Sequence, residues 1–176
     1  IPVLDYASLY PSSMIYMNIS HECYVNNPAY DNLPDYEYKE AVYNNSEGTT
    51  TTCRFAKKKD GTKGVLCQIL EEVLKKRKET KKLMGAAEAE SNYFLAAIYD
   101  GLQLAYKITA NSLYGQVGAP TSPIYMKELA ASTTATGRKM LELARDFIEG
   151  TFGEIVNLCL NDKEEYYKFM KDLFKD

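Results

Sequence analysis

The chain has 176 residues, of which 45% are hydrophobic and 26% charged, with a formal net charge of −3; this suits one domain with a sizeable core or two adjoining lobes of something larger. No apolar stretch of membrane-spanning length and no signal peptide is present, so the expectation is that nothing in this piece spans a membrane or routes it for secretion. Cys23, Cys53, Cys67 and Cys159 have no C-x-x-C spacing and His21 is the only histidine, which argues against a zinc site and for free thiols in a reducing compartment.

The net charge hides an uneven distribution. Residues 1 to 53 hold one basic and seven acidic side chains, residues 54 to 82 hold eleven and four, and residues 83 to 176 hold nine and thirteen. A basic block therefore sits between two acidic ones. Such a block is ordinarily a solvated helix face or a loop; the sharper reading is a site for phosphates, and its position in the pattern decides between them. The chain opens without Met on the apolar run Ile1-Pro2-Val3-Leu4 and closes on Lys175-Asp176 straight after a helix-like pattern, so neither end is expected to be a natural terminus.

In chain order, residues 2 to 6 read as a short buried strand ending at Asp5, and the spacing of Met14, Ile15 and Met17 after Pro11-Ser12 predicts a short helix. From Tyr24 to Gly64 the turn signals Asn-Pro, Leu-Pro-Asp, Asn-Asn-Ser-Glu-Gly and Asp-Gly mark an irregular excursion. Extended chain is favoured only around Thr49 to Thr52 and Phe55, enough for one hairpin. Tyr24, Tyr30, Tyr36, Tyr38 and Tyr43 are read there as packing residues rather than a base-stacking surface. Helical periodicity starts at Val65 and runs through Leu66, Ile69, Leu70, Val73 and Leu74 to about Met84, with Glu71 and Glu72 four residues before Lys75 and Lys76. Gly85 permits a turn, and the pattern resumes from Asn92 to Tyr114, predicting two long helices folded back as an antiparallel hairpin. Gly115 to Pro120 ends the second arm. A third helix is expected over about Lys127 to Ile148, and a fourth from about Lys163.

A carboxylate where an apolar strand runs out lies at the rim of a sheet, where oxygen-seeking Mg²⁺ can be held while keeping waters and phosphate oxygens as other ligands. Asp5 alone is more often a strand-end cap, and two ions roughly 3.5 to 4 Å apart need at least a second acid. In Ser8-Leu9-Tyr10-Pro11 the proline pushes Tyr10 toward an extended conformation. A turn there can present successive amides to a triphosphate, and the Tyr10 ring could lie under a sugar and exclude a 2′ hydroxyl. Without context, a core tyrosine beside a helix start explains the same residue. The hairpin supplies the context. Arg77 and Lys81 share one face of its first arm, and Lys107, Asn111 and Tyr114 share one face of its second. If those faces converge, three cations and an amide surround a polyphosphate, as phosphoryl transfer requires. Lys75, Lys76, Lys78 and Lys82 on the remaining faces are read as solvated.

On these residues the chain resembles the family B DNA polymerases over nearly its whole length. Asp5-Tyr6-Ala7-Ser8-Leu9-Tyr10-Pro11-Ser12 resembles the family's D-x-x-S-L-Y-P-S motif, and Lys107-Ile108-Thr109-Ala110-Asn111-Ser112-Leu113-Tyr114-Gly115 its K-x-x-x-N-S-x-Y-G motif. Arg77-x-x-x-Lys81 is similar to the family's fingers pair, and Thr136-Gly137-Arg138 to its following palm helix. The excursion, with Cys53-Arg54-Phe55 and the lysines after it, is most similar to polymerases of nucleocytoplasmic large DNA viruses. The resemblance implies a helix-rich α+β fold: a partial palm with an antiparallel two-helix fingers hairpin. Residues 1–64 would be an N-terminal palm segment with an irregular insertion, 65–115 the fingers hairpin, and 116–176 palm helices.

The resemblance also implies roles. Asp5 would bind two Mg²⁺ ions, with the Tyr6 carbonyl on one. Amides around Ser8, Leu9 and Tyr10 would hold the β and γ phosphates, and Tyr10 would be the gate against ribonucleotides. Arg77, Lys81, Lys107 and Asn111 would clamp the dNTP, with Lys107 counted beside Asp5 as catalytic. Tyr114 and Gly115 would contact DNA at the nascent base pair. Primer-template DNA and dNTP are the implied partners, with any processivity factor acting through other regions. An intracellular site is implied, the host nucleus or a cytoplasmic replication site if the chain is viral. No D-x-D occurs in the sequence, so a piece ending before the second catalytic aspartate motif, inactive by itself, is expected. Ser13-Met14 stands where two isoleucines are common, which should alter packing only. Two other classes compete: a non-catalytic nucleic-acid-binding module descended from a polymerase, which has no physical need of Asp5 or Tyr10, and a purely structural helical bundle, in which Lys107 and Asn111 would not affect nucleotide affinity.

Overall fold

The structure, a computed structural model, describes residues 5–45, 48–161 and 163–173. Of the strand expected over residues 2 to 6, residues 2 to 4 lie outside the described residues, and Asp5 and Tyr6 have no regular structure. Helix α1 spans Leu9–Met17, beginning earlier than the apolar spacing suggested. Ser8 enters it in the left-handed region at φ 58, and Asn18 leaves it there too, again at φ 58. Pro11 falls in the first turn, where its missing N–H would have had no partner inside the helix. This is why Tyr10 is helical rather than extended: the helix start outweighs the preference that proline imposes on its predecessor. Ser13 and Met14 are both buried, and the Ser13 hydroxyl donates to the Leu9 carbonyl at 2.8 Å.

The excursion contains the one hairpin expected of it, β1 (Tyr36–Asn44) paired antiparallel with β2 (Thr50–Lys58) from Tyr36↔Lys58 to Asn44↔Thr50. Alternation puts Ala41, Cys53 and Phe55 into the core. Arg54 fastens the preceding loop to the strands: Nη1 donates to Asp31 at 2.7 Å, while Nε and Nη2 donate to Glu40 at 3.0 and 2.6 Å. Tyr24 and Tyr43 pack against the core. Tyr38 is pinned through its hydroxyl to the Tyr30 carbonyl, whereas Tyr30 itself is exposed.

Two long helices follow, α2 (Val65–Ala89) and α3 (Tyr93–Gly118), and they pack against each other as the predicted hairpin. Both run past their expected ends. Gly85 costs about 1 kcal/mol in a helix, but Ala86, Ala87, Glu88 and Ala89 are strong helix formers and carry α2 through it. The turn falls at Ser91, at φ 57, and Asn92 caps α3 by accepting from the Leu95 amide at 3.2 Å. Gly115 lies inside α3, which stops only at Ala119, before Pro120. Glu72 pairs with Lys76 as its spacing suggested, at 2.9 Å; Glu71 instead takes Lys63.

Gly64, which begins α2, has no side chain to cap it, and the caps come from the segment leaving α1. Asn18 Oδ1 accepts from the Gly64 amide at 2.9 Å, the Ser20 hydroxyl accepts from Leu66 at 3.2 Å, and a Glu22 carboxylate oxygen accepts from Val65 at 2.5 Å. Asn18 also donates to the Ala56 carbonyl at 2.8 Å, and the Cys67 thiol donates to the carbonyls of Met14 and Ile19. A Cβ on Gly64 would stand 2.5 Å from Ser20 Cβ and 2.7 Å from Cys23 Sγ, so only glycine fits. His21 Nε2 bonds the Ile124 carbonyl at 3.0 Å, joining this segment to the α3–α4 connection.

Helix α4 spans Lys127–Phe147, as expected to within one residue. The chain divides into two compact units, residues 1–137 and 138–176. The core of the first is one cluster in which Met14, Ile19, Phe55, Leu70, Val117 and Leu129 are the largest fully buried apolar members, drawn from α1, β2, α2, α3, α4 and the segment after α1. The second continues α4 through a π-helical turn, Ile148–Phe152, into α5 (Gly153–Asn161) and α6 (Lys163–Leu173). α6 starts where expected. α5 was not anticipated, because Gly150 and Gly153 interrupt the apolar period; the π turn absorbs the irregularity without breaking the helical path.

Candidate functional site

The Ser8 to Tyr10 turn and the helical hairpin meet at two points. Arg77, half-buried on α2, points Nη1 at the Ser8 hydroxyl, 3.4 Å away. Its Nε donates to Gln103 Oε1 on α3 at 3.3 Å, and Gln103 in turn donates to Asp100 at 2.9 Å. At the second point Tyr10 stacks on Tyr114, with ring centroids 4.3 Å apart and planes 21° from parallel. The Tyr114 hydroxyl is 2.8 Å from the Thr134 hydroxyl on α4. A Cβ on Gly137 would lie 3.4 Å from the Tyr10 ring, so α4 backs that ring closely.

These contacts orient the rest of α3. Gln103, Lys107, Asn111 and Tyr114 follow at intervals of four, four and three, one stripe along a helix. Its two ends touch Arg77 and Tyr10. Lys107 and Asn111 lie between them, exposed, along the same stripe. Lys81 is exposed one turn beyond Arg77 on α2. No hydrogen bond or ion pair joins Lys81, Lys107 or Asn111 to the turn; the helical repeat places Lys107 and Asn111 on the stripe between its two contacts.

Leu9 and Tyr10 occupy the first turn of α1, so their amides have no acceptor within the helix and the positive end of the helix dipole faces the same way. The amide-presenting turn is thus a helix start rather than the extended one the sequence suggested. Tyr10 is 37% exposed, so one part of its ring packs and the other remains reachable. Asp5 is exposed and Tyr6 half-buried. Among the described residues no three His, Cys, Asp or Glu side chains come together as a metal cluster. Asp5 and the Tyr6 carbonyl match Mg²⁺ in kind, being hard oxygen donors, but they supply a single carboxylate. Gln103 was missed from the sequence, although its place four residues before Lys107 was the available signal. No helix among the described residues is long and apolar enough to cross a membrane.

The stripe on α3 thus carries one cation and two amides, its upper end meets Arg77 of α2, and the start of α1 faces it with a partly open tyrosine. The family model described as DNA polymerase family B matches residues 1–171. The chain belongs to DNA polymerase family B. It is 45% identical to the DNA polymerase of Pyramimonas orientalis virus, over 87% of this chain and 17% of that protein. It is 33% identical to the DNA polymerase delta catalytic subunit of Caenorhabditis elegans, over 95% of this chain and 14% of that protein. The chain therefore spans about a sixth of the length of these relatives. The solved family B DNA polymerase of the archaeon Pyrobaculum calidifontis shares the fold, with a TM-score of 0.60 and 24% identity over 82% of this chain and 17% of that one.

Proposed function

We propose that this chain forms the nucleotide-binding side of the active site of a DNA-directed DNA polymerase, with residues 1–64 and 116–176 in its palm and 65–115 as its fingers hairpin. The observation that carries the reading is the double meeting of turn and hairpin, Arg77 on Ser8 and Tyr10 on Tyr114. In this reading the amides of Leu9 and Tyr10, with Ser8, hold the β and γ phosphates of a dNTP. Arg77, Lys81, Lys107 and Asn111 close on the same triphosphate, Arg77 through its fork of donors and the lysines as mobile point charges. Lys107 lies midway along the α3 stripe, where it can neutralise charge that develops as the pyrophosphate leaves.

The incoming sugar rests on Tyr10, whose ring cannot retreat because Tyr114 and Gly137 back it. A 2′ hydroxyl therefore collides, and ribonucleotides are excluded. Tyr114 and Gly115 line the nascent base pair of the primer-template. The 3′ hydroxyl of the primer attacks the α-phosphorus; the new phosphodiester bond forms as the bond to pyrophosphate breaks. Asp5 and the Tyr6 carbonyl would hold Mg²⁺, which when bound neutralises triphosphate charge and activates the attacking oxygen. A second carboxylate has to come from elsewhere in the enzyme, so these 176 residues alone should not polymerise. A replicative role in the host nucleus or a cytoplasmic site, and a processivity factor acting through other regions, belong to the same reading.

The test is a substitution pair in the full-length enzyme. Lys107→Ala should lower kcat/KM for dNTP by about 10²-fold or more, while Tyr10→Ala should raise ribonucleotide incorporation relative to deoxyribonucleotide. Unchanged values for both would leave a structural bundle as the better description.

A further inference from the structure

The three caps on α2 sit between the two halves of the nucleotide site. α1 begins with the Ser8 to Tyr10 turn and ends at Asn18; α2 begins at Gly64 and carries Arg77. From Leu66 to Arg77 the helix rises about 16 Å, so an error of about 5° in its direction at the root displaces the guanidinium by about 1.4 Å. That exceeds what a hydrogen bond tolerates. The direction of α2 relative to α1 is thus the quantity on which the meeting of Arg77 and Ser8 depends.

Asn18, Ser20 and Glu22 fix that direction. They alternate along the segment leaving α1 and take the amides of Gly64, Val65 and Leu66, three successive residues at the start of α2. Asn18 and Ser20 are 1% and 0% exposed, so these bonds are shielded from water. The Ser20 hydroxyl accepts from Leu66 and donates to Glu22 at 2.7 Å, which locks the three caps to one another. Burial alone would raise the Glu22 carboxyl, but the hydrogen bonds from the Val65 amide and the Ser20 hydroxyl hold it below the ordinary carboxylate value. A helix that needed only stability would be served by a single Ser, Asp or Asn at its own N-cap. Here the N-cap is a glycine, pressed against Ser20 and Cys23 so that the caps must come from the α1 side.

We propose that Asn18, Ser20 and Glu22 are positioning residues for the nucleotide site: they set the direction of α2 so that Arg77 meets the Ser8 to Tyr10 turn. This rests on the reading of Arg77 as a triphosphate ligand. The experiment measures KM for dNTP, kcat and primer-template affinity in the full-length enzyme carrying Ser20→Ala with Glu22→Ala, with folding checked by circular dichroism. The expected result is KM raised about tenfold with kcat and DNA affinity within about threefold. Glu22→Gln, which keeps an acceptor for Val65, should stay within about twofold of the unsubstituted enzyme.

The decisive arm repeats the pair in an Arg77→Ala background. If the caps act through Arg77, the pair adds less than about twofold there, since the group they aim is gone. A full additional effect in that background, or an unchanged KM in the folded pair, overturns the proposal. Should the pair fail to fold, Glu22→Ala alone, at an exposed side chain, carries the same two arms. If Arg77→Ala itself leaves KM unmoved, the triphosphate reading fails first and the positioning role falls with it; a raised KM for Arg77→Ala with additive caps overturns the positioning role alone.

Discussion

The two ends of the α2–α3 hairpin are built on opposite principles. At the root, the first amides of α2 are taken by residues 43 to 46 positions earlier in the chain, two of the three bonds being buried. At the tip, the turn is made from what lies beside it: Ser91 in the left-handed region, Asn92 capping its own helix, and Tyr93 and Phe94 left 73% and 80% exposed. The root is placed by tertiary structure and the tip by local sequence. A local cap forms wherever the helix goes; a cap from another element forms only when the helix points in one direction.

That contrast can be broken by substitution. Gly64→Ala at the root should cost the most, about 2 kcal/mol or more, because its Cβ meets Ser20 Cβ, which the backbone holds in place, as well as Cys23 Sγ; a denaturant titration would show it. At the tip, Asn92→Ala should cost about 1 kcal/mol, the ordinary worth of a cap. It should speed hydrogen exchange at Leu95 and its neighbours while leaving the root amides protected. Comparable losses at both ends would erase the distinction.

The smallest effect sharpens the picture of the root. Burial, followed by the charge of Glu22, pushes the Cys23 thiol up to about 11, and burial followed by Cys23 and Glu22 pushes Cys67 up to about 12. Their folded values lie above the unfolded ones, so their contribution to stability is complete below the ordinary thiol value of 9.0 and is lost as pH rises toward 11 to 12. Stability measured from pH 8 to 11 should therefore fall, and fall less in a Cys67→Ala variant. In alkylation near neutral pH, exposed Cys159 should react quickly and Cys23, Cys53 and Cys67 slowly.

Much of this was legible in the sequence, and the reason is periodicity. Leu66, Leu70, Val73 and Leu74 announce α2, and the spacing of Lys107, Asn111 and Tyr114 puts them on one stripe of α3, whose Tyr114 meets α1. The paired motifs then pointed to the family that the comparisons establish. Sequence reasoning failed where a local rule met a stronger neighbour. Pro11 was expected to extend Tyr10, but the same ring is tolerated at a helix start. Gly85 and Gly115 were read as breaks, yet the strong helix formers after Gly85 carry α2 through it, and α3, packed along α2, continues past Gly115 to Gly118. The caps of α2 could not be read at all, since no spacing rule links Asn18 to Gly64.

The single histidine has a consequence for acid tolerance. Facing the Ile124 carbonyl, His21 Nε2 must donate, and it carries a proton both in the neutral ring with that tautomer and in the imidazolium form. The clasp between residues 21 and 124 therefore survives acidification. One position further on, Glu22 grips the Val65 amide with a carboxylate oxygen, and that grip weakens as the carboxyl takes up a proton below its ordinary range. Souring the medium would loosen one latch and spare its neighbour: the Val65 amide loses its carboxylate while Asn18 and Ser20 keep Gly64 and Leu66 and the α3–α4 connection stays fastened.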